Sequence, residues 1–475
     1  MKSVLSFCGR IPGRIKIGAI ISACCAALLG SSLCAGETTV KVSTTENLQS
    51  VVNSYPTNTM FSLTPGIHRL QSVVPKSGDQ FIGQTGAILS GAALLTSFTE
   101  SPPYWIAHVS VTEQSSYPGT CNAASPACIY PEDLFFDSVP KTRVSSLYLV
   151  GPGKWYLNYS TGTVYIGDDP AGYTVELSEL PYAFTGGAAS VLISNLIVEK
   201  YACVATTGAI DGSAGSTYWA IENNEVRYNH GRGITTGNGM YILENNVHNN
   251  GDLGIGGGGS NVCIQHNQIT YNNYAGYSYY WEAGGAKFGY ATNFMVEYNY
   301  SENNGGPGFW NDLNTAGITY NENATSNNIE AGILSEISSN VTITGNYIAN
   351  DAFNPSRSGI WWGGGILIVD SNTVSVTSNT LVNCMNGIVG IISSHGDAAN
   401  GQPYVLENLS VQGNTITQTS GTVAGIGIDG SLSDAVYTSM NNIFLNNTYN
   451  VPSLTGDYWY WMGEPMTLDS FLAYF

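Results

Sequence analysis

The chain has 475 residues, of which only 10% are charged and 56 are glycine, and its formal net charge is -19 at pH 7. This balance suits many short strands with tight turns and argues against a protein of long helices. The acidic surface repels nucleic acid and anionic membranes at low salt, so nucleic acid is not expected as a partner. It also disfavours polyanionic substrates unless a cation bridges them.

Residues 1–35 have the pattern of an export signal. A basic stretch is followed by an apolar run that begins at Ile17 and by a small-residue end at Ala35. The run is too short to predict a membrane span in the mature chain. The segment that ends at Cys24 also resembles a lipoprotein processing site, which would leave Cys24 lipid-anchored. Both interpretations predict an exported protein that is secreted, periplasmic or held at the cell surface.

The region before the repeats has two predicted parts. Residues 36–95 combine a short helix near Leu48 with strand and turn patterns, which predicts an N-terminal cap and the first coils of a solenoid. Residues 96–185 break that pattern and are interpreted as an inserted antiparallel β module. Cys121 and Cys128 lie in one loop of this module, and an oxidising compartment favours a disulfide between them.

Residues 186–450 repeat one short pattern: Asn, any residue, usually Val or Ile, a second polar position five residues after the Asn, then Gly and an aliphatic residue. Repeats of this length suit one turn of a solenoid, and buried Asn side chains at the turns would bond to those of the next coil. The aromatic tail, residues 451–475, is expected to cap the far end. The repeated Asn is found at Asn224, Asn245, Asn267, Asn299, Asn323, Asn346, Asn379 and Asn414.

Several of these stretches, including residues 221–234, 306–312 and 331–337, resemble the secreted right-handed parallel β-helix proteins of the pectate-lyase-like superfamily. The resemblance covers most of the mature chain. It implies an all-β, right-handed parallel β-helix with an inserted antiparallel module near the N-terminus and capping elements at both ends. That superfamily includes glycosidases, lyases, epimerases and non-catalytic adhesins, so the resemblance does not select an activity. The paired-Asp signature of polygalacturonases and the calcium and arginine set of pectate lyases are not matched.

Function is therefore sought on the outward faces of the coils. The residue four positions after each repeat Gly is predicted to form one outward column, which contains Asp312 and Glu336 on adjacent coils. The preceding coil is longer, and alignment of Phe288 with the inward residues of the next two coils places Lys287 in the same column. The sequence thus predicts a stack of one cation and two acids.

A groove is predicted around this stack. The glycine runs 256–259 and 363–365 lie on either side of the charged coils and would leave a shallow trench. Tryptophan side chains along a trench suit the apolar face of a sugar, whereas carboxylates suit its hydroxyls, so the predicted partner is a polysaccharide or oligosaccharide. Glu282 is either a further acid over the groove or a solvated loop residue. The residues assigned to substrate binding are Trp310, Trp361, Trp281 and Glu282.

The favoured hypothesis is an exported glycoside hydrolase. Asp312 and Glu336 form the catalytic pair, and repulsion between neighbouring carboxylates raises the pKa of one, so that one acid protonates the leaving oxygen while the other serves as base or nucleophile. Lys287 is the electrostatic partner that keeps the other acid ionised. Retention or inversion of the anomeric centre is left open. No cofactor is expected for this reaction, and the protein is expected to be a monomer.

Three alternatives stay open. In a non-catalytic carbohydrate-binding or adhesive solenoid, the acids would only bond to hydroxyls. In a polysaccharide lyase or epimerase, Lys287 would abstract the proton beside a uronate carboxylate and the acids would hold Ca²⁺. The stack could also be a plain surface ion-pair ladder, worth roughly 1 kcal/mol or less.

Five further polar residues are interpreted as structural. Asp370 precedes Ser and Asn and is expected to form a turn. Four histidines fall at turn positions and are expected to stabilise the coils. They are His230, His248, His266 and His395.

Overall fold

The structure is a computed structural model that describes residues 39–114, 116–353, 362–398, 401–429 and 434–475. The predicted export signal with Cys24 lies outside the described residues, and so does Trp361. In the part of the chain that is described, no helix is long and apolar enough to cross a membrane.

Each coil of the chain contributes three short strands. In one coil these are Arg232–Thr236, Tyr241–Leu243 and Asn246–His248, and each pairs in parallel with its counterpart in the next coil. We number the three resulting sheets 1, 2 and 3 in that order. The long strands Leu253–Gln265 and Gly284–Glu297 pass from sheet 1 into sheet 2 and join the two. The predicted parallel β-helix is confirmed.

Besides the two long strands, the described strands are distributed as follows. Sheet 1 contains Phe184–Thr185, Gly208–Asp211, Arg232–Thr236, Phe309–Asp312, Ala331–Glu336, Gly364–Val369, Ile388–Ile392, Ala424–Ile428 and Trp459–Trp461, with Glu464–Met466 antiparallel at its end. Sheet 2 contains Thr39–Val42, Met60–Leu63, Gln80–Gly83, Leu192–Ser194, Ala220–Glu222, Tyr241–Leu243, Ala316–Asn321, Ser339–Thr344, Asn372–Thr377, Glu407–Gln412 and Ile443–Leu445. Sheet 3 contains Gly66–Arg69, Ala87–Ser90, Ile197–Glu199, Glu225–Arg227, Asn246–His248, Gln268–Thr270, Tyr300–Glu302, Ala324–Ser326, Tyr347–Ala349, Thr380–Val382, Thr415–Thr417 and Thr448–Asn450.

The core is a set of inward columns in which like residues stack from coil to coil. One column of sheet 1 is fully buried and almost entirely apolar, because alternate residues of each strand face inward. The strand register places its members directly above one another, in the order Ile210, Ile234, Ile255, Ala286, Phe309, Ile333, Ile366, Ile388, Ala424 and Trp459. This column fixes which side chains of sheet 1 face outward.

Two rows of buried polar side chains mark the turns before and after sheet 3. In the first row, the Nδ2 atom of each Asn from Asn224 to Asn414 donates to the Oδ1 atom of the Asn in the next coil, at 2.9–3.1 Å. The same Oδ1 atoms accept from the backbone N–H of the preceding Asn. The predicted ladder is confirmed. The second polar position of the repeat forms a parallel ladder through Asn229, Asn250, Asn272, Asn304, Asn328 and Asp351.

Helices and an antiparallel module complete the chain. Leu48–Asn53 and Leu468–Leu472 are helices whose apolar residues reach the core, and Ala435–Thr438 is a single further turn. The module has its own apolar cluster, built around Trp155. Its strands are Ala92–Leu95, Thr99–Ser101, Tyr104–His108, Leu134–Phe136, Val139–Pro140, Thr142–Arg143, Lys154–Asn158, Thr163–Ile166 and Val175–Ser178, with the 3₁₀ turn Leu147–Leu149.

Asp351 stands where the second ladder would require another asparagine. One carboxyl oxygen accepts from the backbone N–H and the Nδ2 atom of Asn328 at 2.7 and 3.0 Å, and the other accepts from the Thr325 hydroxyl at 2.6 Å. Burial raises the pKa of the Asp351 carboxyl to about 7, because the hydrogen bonds offset only part of the cost of a buried charge.

We expect Asp351→Asn to stabilise the protein increasingly as the pH rises from about 4 to about 7, with the full effect above pH 7. The unfolded chain ionises Asp351 near pH 4, whereas the folded chain does so near pH 7, so stability is lost as the pH rises between these values. At pH 8 the variant should be more stable by about 2 kcal/mol, given about 1.4 kcal/mol for each pKa unit and a discount for relaxation of the buried site. Urea midpoints of both proteins at pH 4 and pH 8 measure the effect. An equal difference at the two pH values would contradict it.

Candidate functional site

The predicted acids lie side by side on the outer face of sheet 1. Asn311 pairs with Ser335, which places Asp312 beside Glu336 on adjacent coils. Asp312 is itself opposite Gly289 of the preceding coil, whereas Lys287 is opposite Trp310.

The predicted column for Lys287 is therefore wrong by two residues. Phe288 is paired with Asn311 and not with Leu313, because Asn311 and Ser335 face inward and bond to each other at 2.9 Å. A search for inward apolar residues could not find the correct alignment of Phe288, because the inward residues that match it in the next two coils, Asn311 and Ser335, are polar.

Lys287 nevertheless reaches Asp312 diagonally. Its Nζ atom lies 2.8 Å from a carboxylate oxygen of Asp312 and donates to the Trp281 carbonyl at 2.8 Å. The same atom lies 3.4 Å from the centroid of the Trp310 ring. Lys287 and Asp312 are each only 6% exposed. The ammonium group is thus surrounded by an anion, a carbonyl and an aromatic face.

The position of Asp312 favours its protonated form. Burial raises the pKa of the Asp312 carboxyl, the Lys287 ammonium offsets part of the rise, and the neighbouring Glu336 carboxylate adds to it. A carboxyl group with these neighbours can hold a proton and release it within the site.

Glu336 belongs to a second cluster, which includes two residues that sequence analysis interpreted as structural. His395 lies 3.1 Å from Glu336 through Nε2 and 2.6 Å from Asp370 through Nδ1. Hydrogen bonds to these two carboxylates raise the pKa of His395 to about 10, so the imidazole is a cation at neutral pH. Burial raises the pKa of Asp370, which also accepts the Ser393 backbone N–H at 2.8 Å.

The sequence carried a signal for Asp370 but none for His395. Asp370 directly follows Val369, and Val369 pairs with Glu336 of the preceding coil. The correct strand register therefore places Asp370 near the site. His395 comes from the segment after the strand Ile388–Ile392. Only the path of that segment brings it back to Glu336.

A buried ion pair lies on the other side of Lys287. Arg232 donates through Nε and Nη2 to one oxygen of Glu282, so Glu282 is neither an acid over an open groove nor a solvated residue. Burial raises the pKa of the adjacent Asp252 well above its usual range, and the negative charge of Glu282 adds to the rise. Sequence analysis missed Arg232, because it belongs to the coil before the glycine run that it covers.

The predicted glycine trench is not open. A Cβ atom at Gly256 would come within 2.8 Å of the Arg232 side chain, so that side chain occupies the space. On the other side, the outward column continues from Trp310 through Leu334, Leu367 and Val389, which form a buried apolar cluster. Apolar side chains on an outer face need a cover, and Trp362 packs against this cluster.

The aromatic residues are consequently placed differently from the prediction. Trp310 is 3% exposed beneath Lys287, and Trp281 is partly buried against Tyr277. Access to the acids lies at Glu336 and His395, whose side chains are 14% and 28% exposed.

Among the described residues, no group of three or more His, Cys, Asp and Glu side chains is arranged to hold a metal ion. The acids instead meet cationic side chains. We call these charged side chains on and beside the outer face of sheet 1 the charged row; its members are Arg232, Glu282, Lys287, Asp312, Glu336, His395 and Asp370.

Comparison with known proteins identifies the architecture. Residues 209–400 match a family model described as a right-handed β-helix region. The structure of XylC in complex with xylose is similar, with a TM-score of 0.56 and 12% identity over 87% of this chain and 83% of that chain. The A-module of the mannuronan C-5 epimerase AlgE4 from Azotobacter vinelandii has a TM-score of 0.47 and 12% identity over 88% and 93%. No curated protein matches the chain.

We expect His395 to titrate far above ordinary histidines. Because both ring nitrogens face carboxylates, its deprotonation midpoint should be near pH 10, and Asp370→Asn should move that midpoint towards the ordinary value of 6.5. NMR titration of the imidazole, assigned with His395→Gln, measures both values. The cation stabilises the fold fully below about pH 6.5, and this contribution disappears as the pH rises through about 10. A midpoint near 6.5 in the unchanged protein would contradict the geometry.

Proposed function

Because this chain is a right-handed parallel β-helix protein of the pectate-lyase-like fold, we propose that it is an exported glycoside hydrolase that acts on a polysaccharide. Asp312 is the proton donor and Glu336 is the base or nucleophile. The observation that carries the proposal is the difference between the surroundings of these adjacent carboxyls. Asp312 is buried with a raised pKa, whereas Glu336 is more exposed and hydrogen-bonded to a cation.

This difference matches the needs of glycosidic cleavage. Asp312 transfers its proton to the glycosidic oxygen as the bond to the anomeric carbon breaks. In a retaining route, Glu336 attacks the anomeric carbon, and the Asp312 carboxylate then takes a proton from the water molecule that displaces Glu336, which restores both groups. In an inverting route, Glu336 takes a proton from the attacking water molecule and afterwards releases it to solvent, from which Asp312 is reprotonated. Each catalytic group thus ends the cycle in its starting state.

The geometry of the cations supports these roles. His395, held by Asp370, hydrogen-bonds to one oxygen of Glu336 and orients that carboxylate. Lys287 limits the pKa rise of Asp312, so that the proton can leave. Adjacent coils are about 4.8 Å apart, close to the roughly 5 Å that separates the carboxyls of retaining enzymes, although side-chain direction decides the final distance.

Two observations bear on the ligand and on the alternatives. XylC has a similar fold and is described with bound xylose, which supports a carbohydrate ligand. Lys287 is surrounded by the Asp312 carboxylate, the Trp281 carbonyl and the Trp310 ring, which suits a cation and not the proton-abstracting base of a lyase or epimerase.

A polysaccharide panel tests the proposal. We expect the unchanged protein to release reducing sugar from at least one substrate without the ultraviolet absorbance of an unsaturated uronate. Asp312→Asn and Glu336→Gln should each lower kcat by about 10²–10⁴-fold, the contribution of a general acid or base. The control is Glu322→Gln, which changes an exposed acid on the turn between sheets 2 and 3 and should retain activity.

The other outcomes point to the alternatives. New ultraviolet absorbance would assign a lyase. Binding of a glycan without product, unchanged in both variants, would assign a non-catalytic binding protein. Full activity in both variants would remove Asp312 and Glu336 from the reaction.

A further inference from the structure

The inserted module contacts the β-helix next to the charged row. Its loop 119–133 contains Cys121 and Cys128, which are joined by a disulfide. This loop packs against the segment 273–283, which connects sheet 3 to the strand that carries Lys287. The two segments belong to distant parts of the sequence, so only the folded structure brings them together.

Three hydrogen bonds attach segment 273–283 to the loop, two between backbones and one from a side chain. The Ser278 N–H donates to the Thr120 carbonyl at 2.8 Å, and the Asn122 N–H donates to the Gly276 carbonyl at 2.9 Å. The Asn122 side chain donates to the Tyr277 carbonyl at 3.0 Å, and Cys121 pairs with Tyr277 as an isolated antiparallel bridge.

A buried histidine attaches the same loop to the helix. His230 lies 2.9 Å from Asp133 through Nδ1 and 2.7 Å from the Cys128 carbonyl through Nε2. Both partners are acceptors, so both ring nitrogens donate and the imidazole is a cation. The Tyr274 hydroxyl donates to the same oxygen of Asp133 at 2.6 Å, which ties segment 273–283 into the contact.

The attached segment ends on the candidate catalytic residues. Its Ser278 carbonyl accepts from the N–H groups of Trp281 and Glu282 at 3.0 and 3.1 Å, which makes a tight turn. The Trp281 carbonyl then accepts from Lys287, and Glu282 pairs with Arg232. The acceptor that directs Lys287 towards Asp312, the Trp281 carbonyl, is therefore only three positions after Ser278, which contacts the module.

We propose that the disulfide-closed loop 119–133 positions Lys287 and thereby sets the charge around Asp312. Asn122 and the Cys121–Cys128 disulfide are positioning residues, and the inserted module is part of the working site. The effect on catalysis rests on the proposed hydrolase function, whereas the effect on Lys287 does not. Reduction of the disulfide should therefore loosen Lys287 without unfolding the β-helix, whose core column and ladders lie elsewhere.

Lysine labelling tests the positioning directly. In the full-length protein, Lys287 is 6% exposed and should react slowly with an amine-directed acylating reagent. We expect labelling of Lys287, measured by mass spectrometry, to rise about tenfold or more in Asn122→Ala and in Cys121→Ser/Cys128→Ser, because small losses of placement have large effects on reactivity. The matched control is Asn158→Ala, which removes a side chain at a hairpin of the same module. Labelling of the control should equal that of the unchanged protein.

Thermal unfolding and activity measurements distinguish a variant that is unfolded from one in which only Lys287 is displaced. Thermal unfolding midpoints should stay close to that of the unchanged protein, and mild reduction of the unchanged protein should reproduce the labelling if the double variant folds poorly. Where the protein hydrolyses a glycan, kcat should fall about tenfold to a hundredfold with KM little changed.

Two results distinguish this inference from the proposed function. Increased labelling in a protein that cleaves no glycan supports the positioning of Lys287 and contradicts the hydrolase. Unchanged labelling in Asn122→Ala and after reduction overturns the positioning, whatever the activity.

Discussion

Two ladders of buried side chains hold each coil in register with the next, and the site depends on that register. A buried carboxamide needs partners for its N–H and C=O groups, and here the equivalent side chain of the neighbouring coil supplies them. A slip by one residue would leave these groups unpaired and would turn each inward side chain outward. The ladders therefore fix both the core column of sheet 1 and the side chains on its outer face.

On the outer face of sheet 1, this register places buried charged side chains next to side chains of opposite charge. Arg232 meets Glu282, Lys287 meets Asp312, and His395 lies between Glu336 and Asp370. An isolated charged side chain with so little exposure would lower the stability of the fold, whereas a paired one is tolerated. The members of a pair also shift one another's pKa values. The protein thus obtains two neighbouring carboxyls with unlike surroundings. Such a difference is what acid and base chemistry requires.

The inserted module and the apolar cluster under Trp362 limit how much of the charged row is exposed to solvent. The module fixes the segment that covers Lys287, and Trp362 packs over the outward Leu334, Leu367 and Val389. The exposed end of the row is consequently limited to Glu336 and His395. The predicted groove is therefore replaced by a short exposed stretch of the row.

The sequence by itself determined the solenoid, the ladder of the repeated asparagines and the adjacency of Asp312 and Glu336, because all three follow from a periodic pattern that successive coils repeat. Only the tertiary structure decided the position of Lys287, since its coil is longer and its register depends on the polar inward residues Asn311 and Ser335. It also decided that Arg232 and His395 join the row. These contacts cross between coils, loops and the inserted module, and no local pattern encodes a side chain that fills space left by a distant glycine or returns from a loop to meet an acid.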